Sequence, residues 1–152
     1  MDEDPGAAFA RLLSEARNLL LGVQILFAGL LLAPFSARFA RLDLVEKSLY
    51  ASTAAFTVSA AILLAAPGII HRLARGRPPA SATVRMGARL TRAGGILTGI
   101  ALLGGSTMIG RLIFGTPGAV AGGVLAAVLE AVFWFGAAGV AGGRTGSREP
   151  TE

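Results

Sequence analysis

The sequence predicts an all-α protein, a four-transmembrane-helix bundle with both termini in the cytoplasm. Three observations predict it: an apolar composition, four long apolar runs, and basic residues concentrated on one side of those runs. Hydrophobic residues make up 53% of the 152 residues and charged residues 15%, against about a quarter charged in soluble domains. A soluble domain this small could not bury so much apolar surface. Residues 1–143 are predicted to form one membrane domain, and residues 144–152 a disordered tail.

The first predicted span covers residues 13–34. Its helix is expected to start at Pro5, which follows three acidic residues, because proline is favoured at the first helical position and acids are favoured just before it. A cleaved signal peptide is the alternative, with residues 19–32 as its apolar core. The acidic start and the position of Pro34 near any cleavage point count against cleavage.

The second predicted span covers residues 48–70. Asp43 precedes it, and Glu46 follows three residues later. This spacing is typical of a capping box, in which each side chain accepts a hydrogen bond from the backbone N–H of the other residue. We therefore expect the second helix to begin at this pair.

Two further spans are predicted at residues 93–114 and 118–142, and the helix of the third is expected to begin at Ser81. Gly115-Thr116-Pro117 separates the two spans as a tight turn, with Pro117 at the first position of the fourth helix. Glycines four residues apart, such as Gly118 and Gly122, allow helices to approach closely in lipid. These glycine faces predict packing between helices and a homo-oligomer.

Basic residues are distributed unequally between the two ends of the predicted bundle. Ten are expected on the side of the termini and of the central loop, and four on the opposite side. Because loops rich in arginine and lysine stay in the cytoplasm, both termini are predicted there, in a multi-pass protein of the bacterial inner (plasma) membrane. The ten residues are Arg11, Arg17, Arg72, Arg75, Arg77, Arg85, Arg89, Arg92, Arg144 and Arg148, and the four are Arg38, Arg41, Lys47 and Arg111.

Three of these arginines, Arg85, Arg89 and Arg92, recur at helical spacing and form a basic stripe on one face. Arginine near a helix N-terminus opposes the helix dipole, so an external anion should offset it. Anionic lipid headgroups are the nearest candidate. The net charge of +5 would suggest nucleic acid in a soluble protein, but here the charge lies beside apolar runs, and no nucleic-acid partner is predicted.

Several stretches carry a resemblance to a known family. They are the run from Glu15 to Phe27 (EARNLLLGVQILF), the run from Pro34 to Phe39 (PFSARF), and Ala65-Ala66-Pro67 with His71-Arg72 close behind. Over residues 12–75 the chain resembles an uncharacterised family of small four-span bacterial integral membrane proteins, a domain of unknown function. Some members carry a sodium/proton antiporter label that looks like automatic transfer. The resemblance implies the four-helix architecture and supplies no mechanism.

Glu130 is the strongest candidate for a functional side chain. It lies thirteen residues beyond Pro117, hence about 20 Å along a helix and near the bilayer midplane. A charge there costs about 2.5–3.5 kcal/mol on insertion scales, and such residues commonly serve function. Gln24 and Ser59 are predicted at similar depth, so the three could form one polar layer. Two interpretations remain: a proton or cation site, or a neutral carboxyl group hydrogen-bonded as packing.

Enzymatic chemistry is not predicted. One histidine and no cysteine cannot make a typical transition-metal site, and no nucleophile–base pair, P-loop or dinucleotide fingerprint is present. No cofactor is expected. The leading prediction is a non-enzymatic membrane protein of structural, assembly or accessory type. The alternative is a small proton- or cation-coupled transporter that uses Glu130, with Gln24 lining the path.

Overall fold

The computed structural model describes residues 5–73 and 81–142, with side chains described as far as residue 134. These residues form helices joined by short turns, and there is no strand among them. The predicted all-α class is confirmed. Two short 3₁₀ turns lie between the first two helices, and the predicted disordered tail at residues 144–152 lies outside the described residues. The helices are α1 (Pro5–Leu32), α2 (Leu44–Leu73) and α3 (Ser81–Gly142), and the 3₁₀ turns are Ala33–Phe35 and Phe39–Arg41.

The starts of the first two helices follow the local signals in the sequence. α1 begins at Pro5, as predicted. Before α2, the Glu46 backbone N–H donates to Asp43 Oδ1 at 2.8 Å, and the Asp43 N–H donates to Glu46 Oε2 at 3.0 Å. This reciprocal pair is the predicted capping box, and it satisfies two backbone donors that would otherwise be unpaired.

The third and fourth predicted helices form one element, α3, of 62 residues. The described residues therefore contain three helices that are long and apolar enough to cross a membrane, where four were predicted. The predicted turn is present but too short to separate two helices. Within the described α3, Gly115 leaves the helical region, with a φ of 70° that glycine adopts readily. Pro117 suits a helix start, so helical structure resumes at once.

Gly115 divides α3 into a first arm, residues 81–114, and a second arm, residues 116–142. Side chains or backbones of the two arms approach each other at four levels. The sequence separation of the approaching residues increases away from Gly115, so the second arm runs back antiparallel along the first. The approaching pairs are Gly110 with Gly118, Ser106 with Gly122, Gly99 with Glu130, and Gly95 with Trp134.

The first arm is the central helix of the bundle, because it contacts all the other helices. Its Gly94 packs against Leu64 of α2, and its Gly95 lies between Leu19 of α1 and Trp134 of the second arm. A small buried cluster joins the same helices at mid-height. Its buried members are Val23, Ala60 and Leu64, with Leu97 of the first arm packed against them.

The contacts at the two ends of the bundle show in which direction each helix runs. At one end, which we call the basic end, the ring of Phe9 in α1 packs against His71 at 5.5 Å, and Gly87 of the first arm lies beside Phe9 and Leu12. At the other, which we call the turn end, the Tyr50 hydroxyl donates to the Leu30 carbonyl at 2.9 Å. α1 and the first arm therefore run parallel, and α2 and the second arm run opposite to them.

Candidate functional site

Glu130 lies on the second arm with its carboxyl group against the first arm. The first arm carries Gly99 at this level, and a Cβ built on that glycine would stand 3.0 Å from Glu130 Oε2. The absence of a side chain at Gly99 therefore makes room for the carboxyl group. Glu130 Oε1 is buried and has no hydrogen-bond partner among the described residues. Such atoms are rare, since buried polar groups are usually paired.

A cavity of about 470 Å³ lies beside Glu130 and is open to one side; its volume is within the roughly 300–1,000 Å³ typical of small-molecule sites. Among the described residues that line it, Glu130 is the one ionisable residue, and the rest of the wall is apolar. The indole of Trp134 adds an aromatic surface. The lining residues are Ile96, Gly99, Ile100 and Leu103 of the first arm and Ala127, Glu130, Ala131 and Trp134 of the second.

Gln24 and Ser59 do not line this cavity. They follow and precede Val23 and Ala60, two members of the buried cluster at mid-height, so they lie at one level of the bundle. Both side chains are exposed on the outer surface of their helices. The structure therefore does not bring them to the carboxyl group, and the polar layer stays a prediction about depth.

The predicted lipid-binding stripe lies at the basic end. Arg85, Arg89 and Arg92 are all exposed on the first arm. Their spacing in an observed helix places them on one face. Among the described residues, no three histidine or acidic side chains come close enough together to hold a metal ion.

A second polar cluster, at the turn end, was not anticipated. Arg111 Nε of the first arm donates to Glu46 Oε1 of α2 at 2.7 Å, and Arg111 Nη1 donates to the Thr116 hydroxyl at the start of the second arm. Arg38 Nη1 donates to the Leu112 carbonyl at 2.7 Å. Glu46 thus uses one carboxylate oxygen for its capping box and the other for Arg111. The cluster joins α2 and both arms of α3.

Replacing Arg111 by methionine is expected to lower the free energy of unfolding by roughly 1–3 kcal/mol, because it leaves the Glu46 side chain, which is 19% exposed, without its charged partner. Arg41→Met, at an exposed arginine of the same end, is the matched control and should have little effect. Adding Glu46→Gln to Arg111→Met should recover part of the loss, because a neutral amide is cheaper to leave unpaired. If Arg111→Met and Arg41→Met had equal unfolding midpoints in detergent, the Arg111–Glu46 pair would not stabilise the protein as stated.

The sequence model of the Family of unknown function (DUF6328) matches residues 7–138. No curated protein and no solved structure matches the chain significantly. The expected resemblance to an uncharacterised family is confirmed at this level. The description of the family assigns no activity, so a functional argument has to start from the residues of this chain.

Proposed function

Because the chain belongs to this family of unknown function, we propose from its own residues that it is a non-enzymatic integral membrane protein with a structural, assembly or accessory role. The apolar outer surface of the bundle carries the proposal. Large side chains such as Ile25 and Phe133 are 76% and 73% exposed. Soluble monomers seldom expose extensive apolar patches, whereas lipid solvates such a surface.

The number of crossings that we propose is four, with each arm of α3 crossing once. A straight helix of 62 residues would be about 93 Å long, three times the roughly 30 Å thickness of the hydrocarbon core. Reversal at Gly115 divides this length into arms of 34 and 27 residues, about 51 Å and 40 Å long, so each arm is long enough to cross the core once. Four crossings place both termini on the same side.

The side that we propose for the termini is the cytoplasm of a bacterial cell, in the inner (plasma) membrane. Six basic residues of the described chain lie at the basic end and four at the turn end. Four more basic residues lie outside the described residues, in sequence stretches that adjoin the basic end. Positive charge is retained on the cytoplasmic side. The described residues of the basic end are Arg11, Arg17, Arg72, Arg85, Arg89 and Arg92.

The partners that this placement implies are lipids and a second copy of the chain. Arg85, Arg89 and Arg92 would bind anionic headgroups. Replacing all three by glutamine should weaken binding to anionic vesicles, and unchanged binding would refute this.

The homo-oligomer would form through glycines of α1. Most glycines of the first arm already contact other helices of the same chain, whereas Gly22 and Gly29 of α1 have open space beside them. Crosslinking in native membranes that yields only monomers would refute a homo-oligomer.

The second candidate function is a small proton- or cation-coupled transporter that uses Glu130. Two observations favour it: the Glu130 Oε1 atom is buried without a hydrogen-bond partner among the described residues, and Glu130 lines an apolar cavity. Ionisable groups at this depth commonly mark ion or substrate pathways. Gln24 would belong to the path only if the bundle changed shape, because it is exposed away from the cavity.

The two candidates give opposite results in liposomes loaded with a pH-sensitive dye. A transporter should show proton or cation flux, and Glu130→Gln should abolish it. Glu15→Gln, at an exposed acid of the basic end, is the matched control and should leave the flux unchanged. An accessory protein should show no flux above that of empty liposomes, and this result would eliminate the transporter.

A further inference from the structure

We propose that the cavity between the two arms of α3 binds a lipophilic organic cation, with the positive centre beside Glu130 and the ring of Trp134 and the apolar groups against Ile96, Ile100 and Leu103. This inference rests on the membrane placement proposed above. It does not depend on the choice between an accessory protein and a transporter, because a bound cation could be carried or only sensed.

The charge of the occupant follows from the carboxyl group. Glu130 lines the cavity, its Oε1 atom is buried without a hydrogen-bond partner in the described part of the chain, and none of the described residues that line the cavity is basic. Arg111, the arginine nearest the junction of the two arms, is held at the turn end by Glu46 and Thr116. A carboxylate in an apolar site without an internal partner favours an external cation.

The organic nature of the occupant follows from the rest of the wall. A bare metal ion such as Mg²⁺ or Ca²⁺ requires about six or more oxygen ligands, from protein or water. Of the lining residues that the structure describes, Glu130 is the one with an oxygen-bearing side chain. A cation that carries its own apolar groups needs only one charge partner and gains from the contacts with Ile96, Ile100 and Leu103.

Trp134 supplies a second interaction suited to such a cation. Its ring borders the cavity, on the helix that carries Glu130 and one turn away. The face of an indole attracts positive charge, and aromatic side chains are a recurrent means of holding quaternary ammonium groups. Carboxylate and indole together therefore favour a quaternary ammonium or phosphonium compound over a neutral lipid chain.

The way into the cavity points to a ligand dissolved in the bilayer. Ile96 is 48% exposed and Trp134 52% exposed on the outer surface of the bundle, so the wall of the cavity opens sideways. With the bundle in a membrane, that side faces lipid. A lipophilic cation partitions into the bilayer and can enter between the arms without crossing the polar ends.

Tetraphenylphosphonium is the probe that tests the site, with binding measured by equilibrium dialysis on the full-length protein in detergent. The wild type and the Glu15→Gln control should bind it saturably. Glu130→Gln should weaken binding by a factor of about ten or more, through loss of the charge partner. Trp134→Ala should weaken it roughly threefold, while Trp134→Phe retains most of the affinity.

A neutral tetraphenyl compound of similar shape gives a readout that does not depend on any variant folding. The wild type should bind it at least about tenfold more weakly than the phosphonium. Equal binding of the two compounds, or equal phosphonium binding by the wild type and a folded Glu130→Gln variant, would overturn the site. Absence of saturable binding by a protein whose four crossings have been established would also overturn it, and would leave the proposed function intact.

Discussion

Gly110→Ala is expected to destabilise the protein by roughly 1–3 kcal/mol, the usual cost of overpacking a close contact. A Cβ at this position would overlap the backbone carbonyl group of Gly118 on the second arm. A backbone atom cannot rotate away as a side chain can, so the two arms would have to separate next to the turn. The measurement is the free energy of unfolding in detergent micelles, with unfolding monitored by circular dichroism.

Gly105→Ala is the matched control on the same helix. The nearest atom to a Cβ there is Leu26 Cδ1 at 3.6 Å, an ordinary contact. Alanine is favoured over glycine in helices by roughly 1 kcal/mol, so this variant should be as stable as the wild type or slightly more so. If Gly110→Ala were as stable as Gly105→Ala, the close approach of the two arms would be wrong.

Local signals in the sequence were sufficient to predict where the first two helices begin. Pro5 begins α1, and the Asp43–Glu46 capping box precedes α2, because both features depend on residues a few positions apart. The turn at Gly115 was predicted for the same reason. The effect of this turn on the number of helices was not predicted. One residue in a non-helical conformation reverses the chain without a loop between two separate helices.

Contacts between distant residues could not be predicted in the same way. Glu46 and Arg111 are 65 residues apart, and their pairing depends on how two helices are rotated about their axes. Opposite charges at one end of the bundle were the only signal. The same limit applies to Gln24: the apolar runs predicted a depth for this residue, but they could not show that its side chain is exposed and away from the cavity of Glu130.

The candidate site is a consequence of the turn. Gly115 reverses the chain, and the antiparallel pairing that follows sets Glu130 opposite Gly99, where a missing side chain leaves room for the carboxyl group. Glycine spacing in the sequence indicated close helix packing, but not which glycine would face the acid. The fold and the acidic cavity therefore depend on the same reversal, and the number of membrane crossings tests it.

Accessibility of single cysteines in intact cells tests the four crossings most directly, and the chain has no native cysteine to interfere. Ser14→Cys, Phe114→Cys and Ser147→Cys would be labelled separately with a membrane-impermeant maleimide, before and after permeabilisation. Labelling of Phe114→Cys from outside, with Ser14→Cys and Ser147→Cys labelled only after permeabilisation, is the expected result. Labelling of Ser147→Cys from outside, with Ser14→Cys protected, would mean an odd number of crossings and would contradict the reversal of α3 within the membrane.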